Sequence, residues 1–231
     1  IAIGMPVWAT DVTELSSSAT WQLLVHHADN HPQIQDPQFL LTKANFSEKA
    51  ELAATLALFQ QNPTAAWCRF PARGLYLARM GAIANELQQK VPSCEPLQRF
   101  LNDVRVDELS LVYAVPELVS NTSMMGHVFL RTQSTYDDGL SQAHTLAFFT
   151  KIDSINPLRL LYQNAVSGMA GYMVLRPYAI DLKQYQQVEQ RTVWQYQLTS
   201  TPEQRRLLQL HIYELKDLKI DYYFQSFNCA T

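Results

Sequence analysis

Apolar residues in the first hundred positions recur with the period of a helix. Trp21, Leu24, Val25 and Ala28 stand at i, i+3, i+4 and i+7, which predicts a helical face over residues 19–28. A second helix is expected from Ser47, with Leu52, Leu56 and Phe59 on one side and Asn62-Pro63 ending it. The Leu-, Ala- and Met-rich stretch from Gly74 to Gln89 reads as a third. From Leu109 the pattern shortens. LSLVYAV, HVFLRT and HTLAFF are runs of β-branched and aromatic residues separated by turn formers such as Asp137-Asp138-Gly139. YMVLRPYA and RTVWQYQL follow as two further strands, expected to form a hairpin, and in the second Val193, Gln195 and Gln197 alternate against Trp194, Tyr196 and Leu198. Thr201-Pro202-Glu203-Gln204 then supplies an N-cap, a proline at the first helical position and a capping-box glutamine, and Leu208, Ile212 and Leu215 carry the apolar face. The fold class is α+β, a helical N-terminal half packed on a small antiparallel sheet. The expected divisions are a mostly helical lobe over 10–108 and a sheet region over 109–231.

Composition narrows the function more than the fold. The chain has 231 residues, 47% of them apolar and 17% charged, enough to bury a substantial core. A net charge of −3 and a pI near 6.1 give no basic excess for phosphate neutralisation, so nucleic acid is not an expected partner. No stretch approaches the roughly 20 apolar residues that cross a bilayer. The opening IAIGMPVWATD reads as the remnant of a signal peptide over residues 1–9, ending in small residues around Val7-Trp8-Ala9; a buried first strand is the plainer alternative. Export permits disulfides, and Cys68 and Cys94 flank a helix-like segment at a separation suited to closing one loop. That pairing leaves Cys229 as a reactive thiol, an intermolecular partner, or a buried inert side chain.

A cysteine nucleophile needs a base and a setting that favours thiolate, commonly a helix N-terminus. Asn228-Cys229 stands where a helix could begin, and of the six histidines His127 is the sharpest base, preceded by Gly126 and followed by the strand-forming Val128, Phe129 and Leu130. A core histidine and a buried thiol are the plain alternative. His27 and His31 at i, i+4 tempt a zinc reading, but no carboxylate stands at the right offset and Pro32 ends the helix, so no metal is expected. Arg69 and Arg73 in CRFPAR could bind an anionic headgroup or carboxylate; the structural alternative is an ion pair with Glu189 or another acid that clamps helices to sheet. Gly168 and Gly171 suit tight turns, and Tyr222, Tyr223, Phe224 and Phe227 suit either an acyl-chain groove or ordinary core.

TWQLLVHH, CRFPAR, SMMGHVFLR, GYMVLRPY, VEQRTVWQY and YYFQSFNC, in this order over nearly the whole chain, resemble the successive motifs of the Lnb N-terminal periplasmic domain family. The resemblance implies a circularly permuted papain-like core similar to NlpC-type amidases and lecithin:retinol acyltransferase. It implies Cys229 as nucleophile and His127 as base and later acid. His144 is the expected third group, with Thr145 or Asn121 as alternatives, and Asn121, Ser123, Arg73 and Asn228 are expected around the substrate. In the family the Asn-Cys dipeptide is followed by more helix, whereas this chain stops at Thr231, so the expectation is a sheet region truncated just after its nucleophile. The implied activity is exported, thiol-dependent acyl transfer, such as movement of an acyl chain from a lipid glyceryl group to a lipoprotein amine. Alternatives are a cell-wall amidase or cysteine peptidase, and a non-catalytic periplasmic binding or scaffold domain. The expected partners are lipoprotein, phospholipid or peptidoglycan-derived substrates at the outer face of the bacterial cytoplasmic membrane; no cofactor is expected.

Overall fold

The computed structural model describes residues 12–28, 31–42, 45–83, 94–117, 126–150, 162 and 169–222. The chain divides into two units, Ile1–Phe100 with Leu210–Glu214 and Leu101–Gln209 with Leu215–Thr231. The first is helical. Helices α1 (Val12–Ser16) and α2 (Ala19–Leu24) lead into α3 (Glu48–Gln61), α4 (Pro63–Arg69) and α5 (Pro71–Arg79), and α6 (Glu95–Asp103) begins in the same unit. The helix expected over 19–28 stops early. His26 takes a left-handed φ of 49°, and His27–Ala28 (β1) turn away to pair with His31–Pro32 (β2).

Punctuation residues set these helices. Ser47 caps α3 by accepting from the Ala50 amide at 3.1 Å, and Glu48 and Glu51 face the positive end of the helix dipole. Asn62 closes α3 and caps α4 in turn, accepting from the Ala65 amide, with Pro63 preset at the first position. CRFPAR is thus a helix–helix junction: Phe70 separates α4 from α5, and Pro71-Ala72-Arg73 open α5. Two carboxylates hold that junction. The fully buried Arg73 donates to Glu51 Oε1 at 2.8 Å and to the Phe39 carbonyl at 2.8 Å, its guanidinium stacked 4.2 Å over Phe70 and 4.6 Å over Phe39. Glu51 also accepts from the Leu41 and Thr42 amides and the Thr42 hydroxyl. Glu214 Oε1 accepts from the free amides of Ala72 and Arg73 at 2.7 and 3.2 Å, satisfying donors that the first turn of α5 leaves open. Its other oxygen meets His211 Nδ1 at 3.0 Å, and His211 Nε2 lies 3.0 Å from His26 Nε2. Cys68 and Cys94 are bonded, with their Cα atoms 5.6 Å apart.

Among its described residues, the second unit carries a six-stranded antiparallel sheet, in the order β7-β3-β4-β5-β6-β8. The strands are β3 (Glu108–Ala114), β4 (His127–Thr135), β5 (Ser141–Thr150), β6 (Met169–Pro177), β7 (Val193–Gln197) and β8 (Ile220–Tyr222). Gly139, at φ 80°, closes the β4–β5 turn, where Asp138 accepts from the Leu140 amide. The hairpin expected from β6 and β7 does not form. Pro177 ends β6, α7 (Tyr178–Lys183) runs on into a π-turn (Gln184–Val188), and the chain crosses one face of the sheet to add β7 beside β3 at the opposite edge. Tyr185 drives this route by burying its ring against Val112, Ala114, Phe129 and Ala147. Beyond β7, Thr201 and Gln204 close the expected capping box, 2.9 and 3.2 Å in the two directions, at the start of α8 (Pro202–Leu215). At the other edge β8 approaches so closely that a Cβ on Gly171 would lie 3.0 Å from the Ile220 carbonyl and 2.6 Å from the Phe148 ring.

Two stability predictions follow from the buried groups of the helical unit. Glu51→Gln removes the counter-charge of a fully buried guanidinium and is expected to destabilise by about 3–5 kcal/mol, read from urea unfolding. Burial, with help from the neighbouring His211 and Arg73 charges, pushes His26 down to about 3. The unfolded chain therefore takes up the proton first, so stability is fully present above the ordinary pKa near 6.5 and is lost as pH falls from there toward 3. Urea midpoints measured from pH 7 to pH 4 should decline, and less steeply in His26→Asn, a residue that tolerates the left-handed backbone.

Candidate functional site

His127 opens β4 opposite Ala114 on β3, so the two side chains share one face of the sheet. Strand alternation puts Phe129 and Arg131 on that face with it. The imidazole lies among rings: its centroid is 4.7 Å from Phe149, 5.6 Å from Phe129 and 6.3 Å from Tyr185. Three guanidiniums stack on the same aromatic layer, Arg176 over Phe149 at 5.1 Å, Arg191 over Tyr185 at 5.6 Å and Arg131 over Tyr178 at 5.1 Å. Arg176 grips the buried Asp181 with Nε on both carboxylate oxygens and Nη2 on Oδ1, and Arg191 pairs with Glu189 at 2.8 Å. The crossover after β6 supplies Tyr178, Asp181, Tyr185 and Glu189, and thereby roofs the histidine.

These surroundings set the proton chemistry. Burial pushes His127 down to about 4, against an upward pull from Asp181; Arg191 and Arg176 push it further down and Glu189 back up. The ring is thus neutral near pH 7, and its Nε2 is buried with no hydrogen-bond partner among the described residues. A neutral imidazole with an open nitrogen can accept a hydrogen bond or a proton from an acid set against it, the proton only weakly while its pKa stays low. Burial also raises Tyr185, with Asp181 and Glu189 adding to the rise, so its hydroxyl stays protonated.

The other expected site residues separate into three groups. Cys229, Asn228, Asn121 and Ser123 lie outside the described residues, as do Gly168 and the aromatic positions 223–227. His144 is not the partner of His127. Its register opposite Thr132 puts it on the other face of the sheet, five residues along β4, or about 16 Å away. Thr145, opposite Arg131, shares the right face but stands four residues, about 13 Å, along the strand. Arg73 is spent on Glu51 and the Phe39 carbonyl and has no exposed surface to offer a substrate. The acid it pairs with is thus Glu51, while Glu189, the acid named for it, holds Arg191, and Arg69 donates to the carbonyls of Pro37 and Gln38. His27, weighed as a zinc ligand, pairs with Glu48 at 2.7 Å. Asp181, Tyr185 and the arginine pair at 176 and 191 were missed by the sequence reading. Arg176 and Arg191 stand inside GYMVLRPY and VEQRTVWQY, and those two stretches carried the only signal.

NMR titration of the imidazole resonances should find His127 changing charge near pH 4. In Asp181→Asn, which removes the largest upward pull, the midpoint should fall further. A midpoint near 6.5 would mean that the aromatic roof does not exclude water from the ring.

Residues 97–231 match the model of the Lnb N-terminal periplasmic domain family. Residues 13–80 match that of a domain of unknown function, DUF7843. No curated protein and no solved structure matches the chain. The first match takes in all six strands of the main sheet, the crossover and His127, and it carries an exported, periplasmic location. With more than half of its 231 residues inside that match, the chain belongs to the Lnb N-terminal periplasmic domain family.

Proposed function

We propose that this domain is a thiol-dependent acyl transferase of the periplasm, built on a permuted papain-like plan, in which Cys229 is the nucleophile and His127 its base. The observation that carries this reading is the direction of the strands. Thr150 pairs with Gly171, and Gly171 with Ile220, so β8 runs toward the same end of the sheet at which His127 begins β4. The chain from Tyr222 to Cys229 is seven residues (229 − 222) and reaches at most about 25 Å. Three strand spacings from β8 to β4 need about 14 Å. A sulfur on that tether is within range of the imidazole.

The chemistry runs as two displacements. His127 Nε2 takes the thiol proton as the sulfur attacks an ester carbonyl; the carbon–sulfur bond forms, the carbon–oxygen bond breaks, and His127 returns the proton to the leaving alcohol. An amine then attacks the thioester, its nitrogen bonds to the acyl carbon, the carbon–sulfur bond breaks, and the proton passes through His127 to the sulfur. An imidazole held down near 4 is a poor base alone. A thiolate beside it raises it, so the pair activates itself only when the cysteine is seated. The family name, the periplasmic location and an aromatic roof that excludes water from a thioester all favour a lipoprotein-type acyl donor with an amine acceptor.

The full-length protein, incubated with a diacylated lipopeptide, should gain the mass of one acyl chain on Cys229. His127→Ala should slow that acylation by about 10²–10⁴. Acylation of Cys229 at an unchanged rate in the variant would overturn the assignment of His127. Acyl release to water rather than to an amine would convert the reading to a hydrolase.

A further inference from the structure

The second unit holds a cavity of about 580 Å³, lined by the end of α6, the stretch leading into β3, and the first turns of α8. A pocket of that volume suits a small ligand. Its charge is lopsided: Arg105, Arg205 and Arg206 line it against a single carboxylate, Asp107, in a chain whose net charge is −3.

Arg205 and Arg206 are held in place by neutral acceptors, and Arg105 stands loosely between two carboxylates. Arg205 donates through Nη1 to the Ser200 carbonyl at 2.5 Å, which fixes the fork, while its Nε is buried with no partner among the described residues. Arg206 donates to Gln209 Oε1 at 2.8 Å, and Gln209 is anchored in turn on the Val104 carbonyl at 2.5 Å. Neither meets a carboxylate within 4 Å among the described residues. Arg105 stands 3.7 Å from Asp107 and 3.9 Å from Asp137, too far for a strong pair, and Asp107 is itself engaged by the Thr135 amide at 2.8 Å. Pre-positioned guanidiniums bonded to neutral acceptors keep their remaining N–H groups and their charge for an incoming anion.

We infer that this pocket binds a phosphate group, the planar forks of Arg205 and Arg206 taking its oxygens and Arg105 closing from the side. The group is either the head of an anionic phospholipid or a soluble phosphate monoester. A phosphate, dianionic as a monoester and monoanionic in a phosphatidylglycerol head, offers the two uncompensated forks of Arg205 and Arg206 more oxygens than a single carboxylate does. Nothing in the cavity resembles the chemistry around His127. Its role is to hold a charged ligand, and its function is independent of the acyl-transfer reading.

The test uses the full chain and two probes, glycerol 3-phosphate by isothermal titration and phosphatidylglycerol vesicles against phosphatidylcholine vesicles by co-sedimentation. The wild type should bind one of them, more weakly as salt rises. Arg206→Gln should weaken binding at least tenfold, and Asp107→Asn, which keeps an oxygen for the Thr135 amide, should tighten it severalfold. Arg99→Gln, the same charge change at an exposed residue paired with Glu95, should leave it unaltered. Binding of glycerol 3-phosphate identifies a soluble phosphate; sedimentation with phosphatidylglycerol alone identifies a lipid head. Binding of neither probe, or an equal loss in Arg99→Gln and Arg206→Gln, overturns the proposal.

Discussion

Side chains of a β-strand alternate between two faces, and in this protein that period decides which groups can meet. The pairing of β4 with β3 sets His127 beside Ala114, and the pairing with β5 sets Arg131 beside Thr145 and Thr132 beside His144. A slip of one residue in either ladder would carry His127 to the opposite face and leave the crossover nothing polar to cover. The core therefore protects the register. Val112, Phe129 and Ala147 occupy the same face as the histidine, and Tyr185 seals all of them at once. The packing that stabilises the sheet is also what lowers the proton affinity of its rim.

The helical unit solves a different problem. Three helices must turn sharply at Asn62 and Phe70, and such turns strand amide donors in the interior. Glu214 accepts the donors at the start of α5 and Glu51 those of Leu41 and Thr42, and each carboxylate also meets a nitrogen side chain, Arg73 for Glu51 and His211 for Glu214. An ion pair with no water around it is rarely a net source of stability. Here its carboxylate also accepts from Leu41 and Thr42, so apolar substitutes of equal volume would orphan three donors. The pair thus selects one path for the chain over its competitors.

Much of the local structure was legible in the residues. Ser47, Asn62-Pro63, the Asp138-Gly139 turn and the Thr201–Gln204 box each act within four positions of themselves, and all are found where local chemistry predicts. The misreadings concern partners far apart in sequence. Two strands separated by a polar connector read as a hairpin, because nothing in VEQR says which edge of a sheet the next strand will join. His144 stands on the neighbouring strand and so suggests itself in the sequence, and only the register reveals that it looks the other way. An ion pair for Arg73 is legible in CRFPAR, but the acid that meets it is Glu51, in the first turn of a helix 22 residues upstream, and not Glu189. His127 was identifiable, being a histidine at the mouth of a strand, whereas its roof was not, since Tyr185 and Asp181 look like ordinary surface positions on a short helix.

The bond between Cys68 and Cys94 has a bearing on when this protein can mature. It closes a loop of 26 residues that begins at the CRFPAR junction. A loop of that length removes about 3.5 kcal/mol of chain entropy from the unfolded state. In a reducing compartment that contribution is missing, and the helical unit is easier to open. Oxidation in the periplasm supplies it, so the cross-link ties the stability of this unit to the redox state of its compartment.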